Sequence, residues 1–148
     1  MPHEIILNRL RHFLLTVALL MFGGTLVELW LLDHTKVAVQ IIPFVLCGIG
    51  LTIVAVALFR PSRPVLLVLR AAMVFEGLGS LLGIGYHLFS NFSFEHEIRP
   101  NVPLEALALP TLKGAAPIVA PGMLLFAALL AIAATYYHPA LPAARQSS

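Results

Sequence analysis

The sequence predicts an all-α integral membrane protein: a four-helix bundle with both termini cytoplasmic and a long outer loop between the third and fourth helices. Composition is the first ground. Of 148 residues, 59% are hydrophobic and 11% charged, and mean hydropathy is +0.94. An ordinary soluble domain is about 45–50% apolar and about 25% charged. So few polar side chains cannot cover a water-facing surface, which makes lipid the solvent. The second ground is a set of four apolar stretches, each long enough to cross about 30 Å of hydrocarbon. The third is where the basic residues fall.

The first span covers about residues 13–32. It has the basic start of a signal peptide (Arg9, Arg11), but its apolar run is roughly twice the usual length and no small-x-small cleavage site precedes Glu28. It reads as a retained helix. The second span covers about 37–59, with Pro43 inside it as the expected cause of a kink. Pro61 and Pro64 restart the chain into the third span, about 65–89. The fourth covers about 115–137, with Pro117 and Pro121 in its first turns, where a missing N–H costs nothing. The outer loop, 90–114, holds one short stretch, Pro103 to Leu109, suited to an interfacial helix with its cap near Asn101 or Val102 and its end at Pro110. From Ala140 the chain reads as a loose end. All 148 residues belong to one transmembrane domain.

Orientation follows from Lys and Arg. One side holds Arg9, Arg11, Arg60, Arg63, Arg70 and Arg145; the other holds only Lys36, Arg99 and Lys113. The richer side is cytoplasmic, and the expected location is a bacterial inner membrane. The formal charge of +2 is small and its carriers are scattered singly, so nucleic acid is not among the expected partners. The lone cysteine, Cys47, rules out an internal disulfide. Gly-rich phosphate loops, a Ser-centred elbow and Cys-x-x-Cys are all missing from the sequence. Arg60, Arg63 and Arg70 anchor the cytoplasmic side, with a lipid phosphate as a candidate contact.

Two acids lie where hydrocarbon is expected: Glu28 in the outer third of the first span and Glu76 near the middle of the third. An acid at a helix centre costs about 2.5–3.5 kcal/mol on insertion scales and normally faces the bundle interior. Glu76, Gly79, Ser80, Gly83 and His87 share one stripe, since position 87 falls only about 20° from position 76 at 100° per residue. Glycines and a serine let a neighbouring backbone approach, so this stripe faces protein. Gly24, Thr25 and Glu28 answer it on the first span; Gln40, Cys47 and Gly50 do so on the second. Gly24, Gly79, Ser80 and Gly83 are thus the expected helix-packing residues.

Glu28, His34, Gln40 and His87 all fall in the outer half, next to Glu95, His96 and Glu97 in the loop. Their convergence on one outward-facing polar pocket gives the first functional expectation. Histidine nitrogen and carboxylate oxygen suit zinc, iron, manganese or copper, and the same groups pass protons. Neither the Glu-x-x-His spacing of di-iron bundles nor His-Glu-x-x-His is present. The alternative is a non-catalytic bundle in which Glu76 is polar glue and His34 and His87 are interfacial residues. It would be a homo-oligomer or an accessory subunit of a larger membrane complex. A minor alternative is haem b, wired through His12 with His138 and His34 with His87. Against it, three of those four sit at span ends and an acid occupies the bundle middle.

Overall fold

A computed structural model describes residues 2–141; Arg145, counted above on the cytoplasmic side, and the rest of the tail lie outside the described residues. The described residues form helices and turns, with no strand among them. The helices are α1 (Pro2–Leu31), α2 (Ile42–Phe59), α3 (Arg63–Ile98), α4 (Leu104–Leu112) and α5 (Val119–Ala133), and a 3-10 turn (Ala38–Ile41) precedes α2. Three stretches are long and apolar enough to cross a membrane: His3–Leu31, Ala38–Phe59 and Arg63–Ile98. The fourth apolar helix, α5, has 15 residues, roughly 22 Å at 1.5 Å per residue. It is shorter than the 115–137 expected.

The helix limits differ from the hydropathy limits for physical reasons. Pro43 lies in the first turn of α2 and kinks nothing, because residues 38–41 form the 3-10 turn before it. α3 continues past residue 89 to Ile98, so the first part of the expected loop is helical. Two local pairs support that extension: Arg99 with Glu95, and the Phe92 ring stacked on His96. Both are helical i,i+4 neighbours. The short helix does form as α4, but its cap is Pro103 and it passes through Pro110. There the Lys113 N–H donates to the carbonyls of Leu109 and Pro110, each at 3.1 Å, and closes the last turn.

α1, α2, α3 and α5 pack in a ring in which α5 lies against both α1 and α3, and α4 rests on α3. The core holds Leu15, Ala18 and Phe22 of α1, Val54 of α2, Leu69 and Met73 of α3, and Ala127, Ala128 and Ala131 of α5. Alanines on α5 let its neighbours close upon it. α1 and α2 cross as tightly at Gly50, where an added Cβ would lie 2.6 Å from the Phe22 ring. The outer surface is as apolar as the core: Phe59, Phe75, Leu82 and Trp30 are each more than 70% exposed. A surface of that kind is an interaction surface, and along helices of this length it suits lipid tails.

The end of the ring where α1 and α3 begin is closed by arginine. Arg11, only 8% exposed, donates from Nη2 to the carbonyls of Tyr136 and Tyr137. Arg70 donates from Nε to Thr135 Oγ1 at 2.7 Å and from Nη2 to the Thr135 carbonyl at 3.2 Å. These are carbonyls at and beyond the end of α5, which have no acceptor role inside the helix and carry its negative dipole end. Arg70, for which a lipid phosphate was a candidate contact, thus reaches a helix end. Tyr137 sits at φ 48°, a left-handed conformation that is costly for a bulky residue, and the Arg11 bond holds it there. Ala140 and Leu141, the first two residues of the expected loose end, pack against the core, and its remainder, 142–148, lies outside the described residues.

Arg11→Met should lower unfolding stability by about 1.5–3 kcal/mol, the usual worth of hydrogen bonds from a charged donor. Arg11→Lys should recover part of that loss, since one nitrogen, Nη2, makes both bonds and an ammonium also carries several donors. Thermal unfolding in detergent checks this, and a melting point unchanged in Arg11→Met would refute the lock.

Candidate functional site

At the end of the ring opposite the arginines, a half-open cavity of about 1040 Å³ lies between α1, the 3-10 turn and α2 on one side and α3 and residues 115–124 on the other. It exists because α5 begins only at Val119 while α3 runs to Ile98. Beside the outer part of α3 stand only the small residues Ala115, Ala116, Pro117, Ala120 and Pro121.

Each wall has a local cause. α1 ends in a Schellman turn: the Asp33 N–H donates to the Trp30 carbonyl and the His34 N–H to that of Leu29, with Asp33 at φ 52°. Aspartate tolerates that left-handed position. The turn places His34 on the cavity wall. Gln40 accepts from the N–H groups of Lys36 and Val37 at 2.7 and 3.2 Å, fixing the 3-10 turn that forms the next wall. On α3, an added Cβ at Gly79 would lie 3.3 Å from Leu46 and one at Gly83 would lie 3.3 Å from Pro121. Those two glycines set how closely α2 and the start of α5 approach the stripe.

The last wall is held by Asn91. Buried in α3, it donates from Nδ2 to the carbonyls of Thr111 at 3.1 Å and Ala116 at 2.9 Å, and its Oδ1 accepts from the Ala116 N–H at 3.0 Å. Gly114 passes so close that an added Cβ would lie 2.4 Å from Asn91 Cγ. One amide thus ties the segment between α4 and α5 to α3.

The structure brings together only some of the residues singled out from the sequence. His34, Gln40, Ser80 and His87 line the cavity with Thr25 and Asn91. Glu76 is 1% exposed and lies one helical turn below Ser80, outside the lining. Glu28 is half-buried on α1 and also outside it. Glu95 pairs with Arg99, His96 stacks on Phe92, and Glu97 is exposed. None of these three reaches the cavity. Gly24 lies on an exposed face where an added Cβ meets nothing within 4 Å, so it packs against no helix of this chain.

Three polar atoms on the α3 stripe have no hydrogen-bond partner although buried: Glu76 Oε1, Ser80 Oγ and His87 Nδ1. Buried polar atoms are nearly always paired; of these three residues Ser80 and His87 belong to the cavity lining and Glu76 does not. A metal ion does not fit these residues. Among the described residues, no three His, Cys, Asp or Glu side chains come together as ligands. A haem fits no better at the arginine end, where His12 and His138 border a space of about 30 Å³, room for a few waters at most. His12 Nδ1 is 2.8 Å from the Asn8 carbonyl, and His138 Nδ1 accepts from the Ala140 N–H. Burial, with the Arg11 charge as second cause, holds the His138 pKa below its usual value.

Asn91, Gly114 and Arg11 were not among the expected site or packing residues. A signal for Asn91 existed: positions 76, 80, 83, 87 and 91 continue one stripe at spacings of four, three, four and four. No family model, no curated protein and no solved structure matches the chain.

Asn91→Ala should release the 114–118 segment. The Ala116 amide should exchange with deuterium on the order of tenfold faster, since about 1–3 kcal/mol attends loss of a buried partner. Unchanged exchange at Ala116 would show that the clamp holds nothing.

Proposed function

We propose that the chain is a four-span protein of a bacterial inner membrane, both termini cytoplasmic, that binds a small molecule in its outward-facing cavity. The single observation that carries the reading is the cavity of about 1040 Å³ bordered by Ser80 and His87 with unpartnered polar atoms. Ligand sites are concave, largely apolar and furnished with a few convergent polar groups, and this cavity has that make-up. The side assignment rests on the basic residues: within the described part, Arg9, Arg11, Arg60, Arg63 and Arg70 gather at the end opposite the cavity. For α5 to cross, the turns to Tyr137 and the 114–118 segment extend its 15 residues. Proton passage through the same Glu/His groups calls for a chain of hydrogen-bonded groups, whereas Glu76 Oε1, Ser80 Oγ and His87 Nδ1 bond to nothing in the protein. Binding is therefore the reading favoured over relay.

An assembly role is the second reading. Gly24 and Gly85 leave open space on exposed helix faces, and small residues there allow another helix to approach.

Ala120→Phe fills the cavity from the α5 side without touching the polar stripe. Protein purified in mild detergent should carry a discrete small molecule, seen by mass spectrometry of an organic extract, at near one per chain. Ala120→Phe should carry at least tenfold less. If both proteins carry only bulk lipid in equal amounts, while Gly85→Leu changes the oligomeric state, the binding reading gives way to the assembly reading.

A further inference from the structure

We infer that the ligand of the outer cavity is an uncharged amphiphile, a hydrocarbon body with a neutral head that both donates and accepts hydrogen bonds, taken up sideways from the outer leaflet. This rests on the binding reading above and specifies its ligand class.

The charge of the lining is the first argument. No Asp, Glu, Lys or Arg borders the cavity. The titratable side chains of the lining, His34, Tyr86 and His87, carry no fixed charge, so an ionic head of either sign would lose its hydration without a permanent counter-charge. Burying an unpaired ion is far costlier than burying a neutral hydrogen-bonding group. Glu76 does not change this, being 1% exposed beneath Ser80 and outside the lining.

The polar atoms that do border the cavity define the head. Ser80 is 2% exposed, and its hydroxyl, with no partner in the protein, offers one donor and two acceptor positions. His87 Nδ1 is likewise unpartnered and takes either role according to tautomer. The Asn91 amide is already committed to Thr111 and Ala116, and Gln40 Oε1 to the 3-10 turn. That leaves the hydroxyls of Thr25, Ser80, Tyr86 and Ser90 and the rings of His34 and His87 among the lining side chains to recognise a head, and a neutral group that both donates and accepts, such as an amide, matches them.

The rim defines the body and its route. Leu32, Val39 and Ile42 on one side, and Leu82 and Phe94 on the other, line the cavity yet are more than half exposed. Apolar side chains that border a cavity and also face lipid make a lateral mouth, so the hydrocarbon part enters without crossing water. A bare lipid tail would satisfy this rim but leave Ser80 and His87 unpaired.

The test uses the full chain in nanodiscs and four fluorescent probes of equal acyl length, bearing a primary amide, a carboxylate, a trimethylammonium or no head. The amide probe should bind saturably with a Kd at least tenfold lower than each of the other three. Ser80→Ala should weaken the amide probe about fivefold and leave the headless probe unchanged, a contrast that a merely unfolded variant would not give. A charged or headless probe binding as tightly as the amide overturns the ligand class while sparing the pocket. Saturable binding of none of the four overturns the binding reading itself.

Discussion

Two arginines on the carbonyls that close α5 are the interaction on which the rest of the bundle depends. α5 is short and its core face is mostly alanine, so it brings little apolar bulk of its own. Arg11 from α1 and Arg70 from α3 converge on Thr135, Tyr136 and Tyr137, and so fix the position of α5 between its two neighbours at the arginine end. Arg11 Nη2 serves the carbonyls of Tyr136 and Tyr137 together, and Arg70 holds Thr135 through both its hydroxyl and its carbonyl. With that end fixed, a 15-residue helix cannot also fill the space beside the far end of a 36-residue one. The outer cavity is a consequence of that mismatch in length.

The same constraint explains why the outer half is held open rather than collapsed. Asn91 fastens the segment before α5 to α3, while the Schellman turn at Asp33 and the Gln40-bonded 3-10 turn set the opposite walls. These are polar contacts between backbone and side chain, directional where apolar packing is not. Gly79 and Gly83 then set the approach of Leu46 and Pro121 to the stripe. Ser80 and His87 belong to the lining of that space, and Glu76 lies buried one turn away outside it.

Much of this was legible in the sequence, and what was not has identifiable causes. Helical class and the apolar spans follow from hydropathy because lipid admits few other structures. The α3 stripe follows from a period of 3.6 residues. Hydropathy, however, reports where hydrocarbon ends and not where a helix ends. For that reason α3 was cut at residue 89, nine residues short of Ile98, and Asn91 was read as loop although it continues the stripe. Pro43 was read as a kink because the 3-10 turn before it has no sequence period of its own. Arg11 was counted as a surface charge because its partners, Tyr136 and Tyr137, lie 125 and 126 residues away. Glu95, His96 and Glu97 stood out as a cluster along the chain, but consecutive residues on a helix point in different directions. They accordingly take separate local roles.

Cysteine accessibility in intact cells tests the central claim most directly: four crossings with the cavity facing outward. In a Cys47→Ser background, single cysteines at Thr35, Ser62, Asn101 and Pro139, all exposed positions, are challenged with a membrane-impermeant maleimide. The account predicts labelling at 35 and 101 without permeabilisation, and at 62 and 139 only after it. Labelling of 139 from outside would mean that α5 does not cross the bilayer, and labelling of 62 in place of 35 would turn the cavity toward the cytoplasm. Either result contradicts the account.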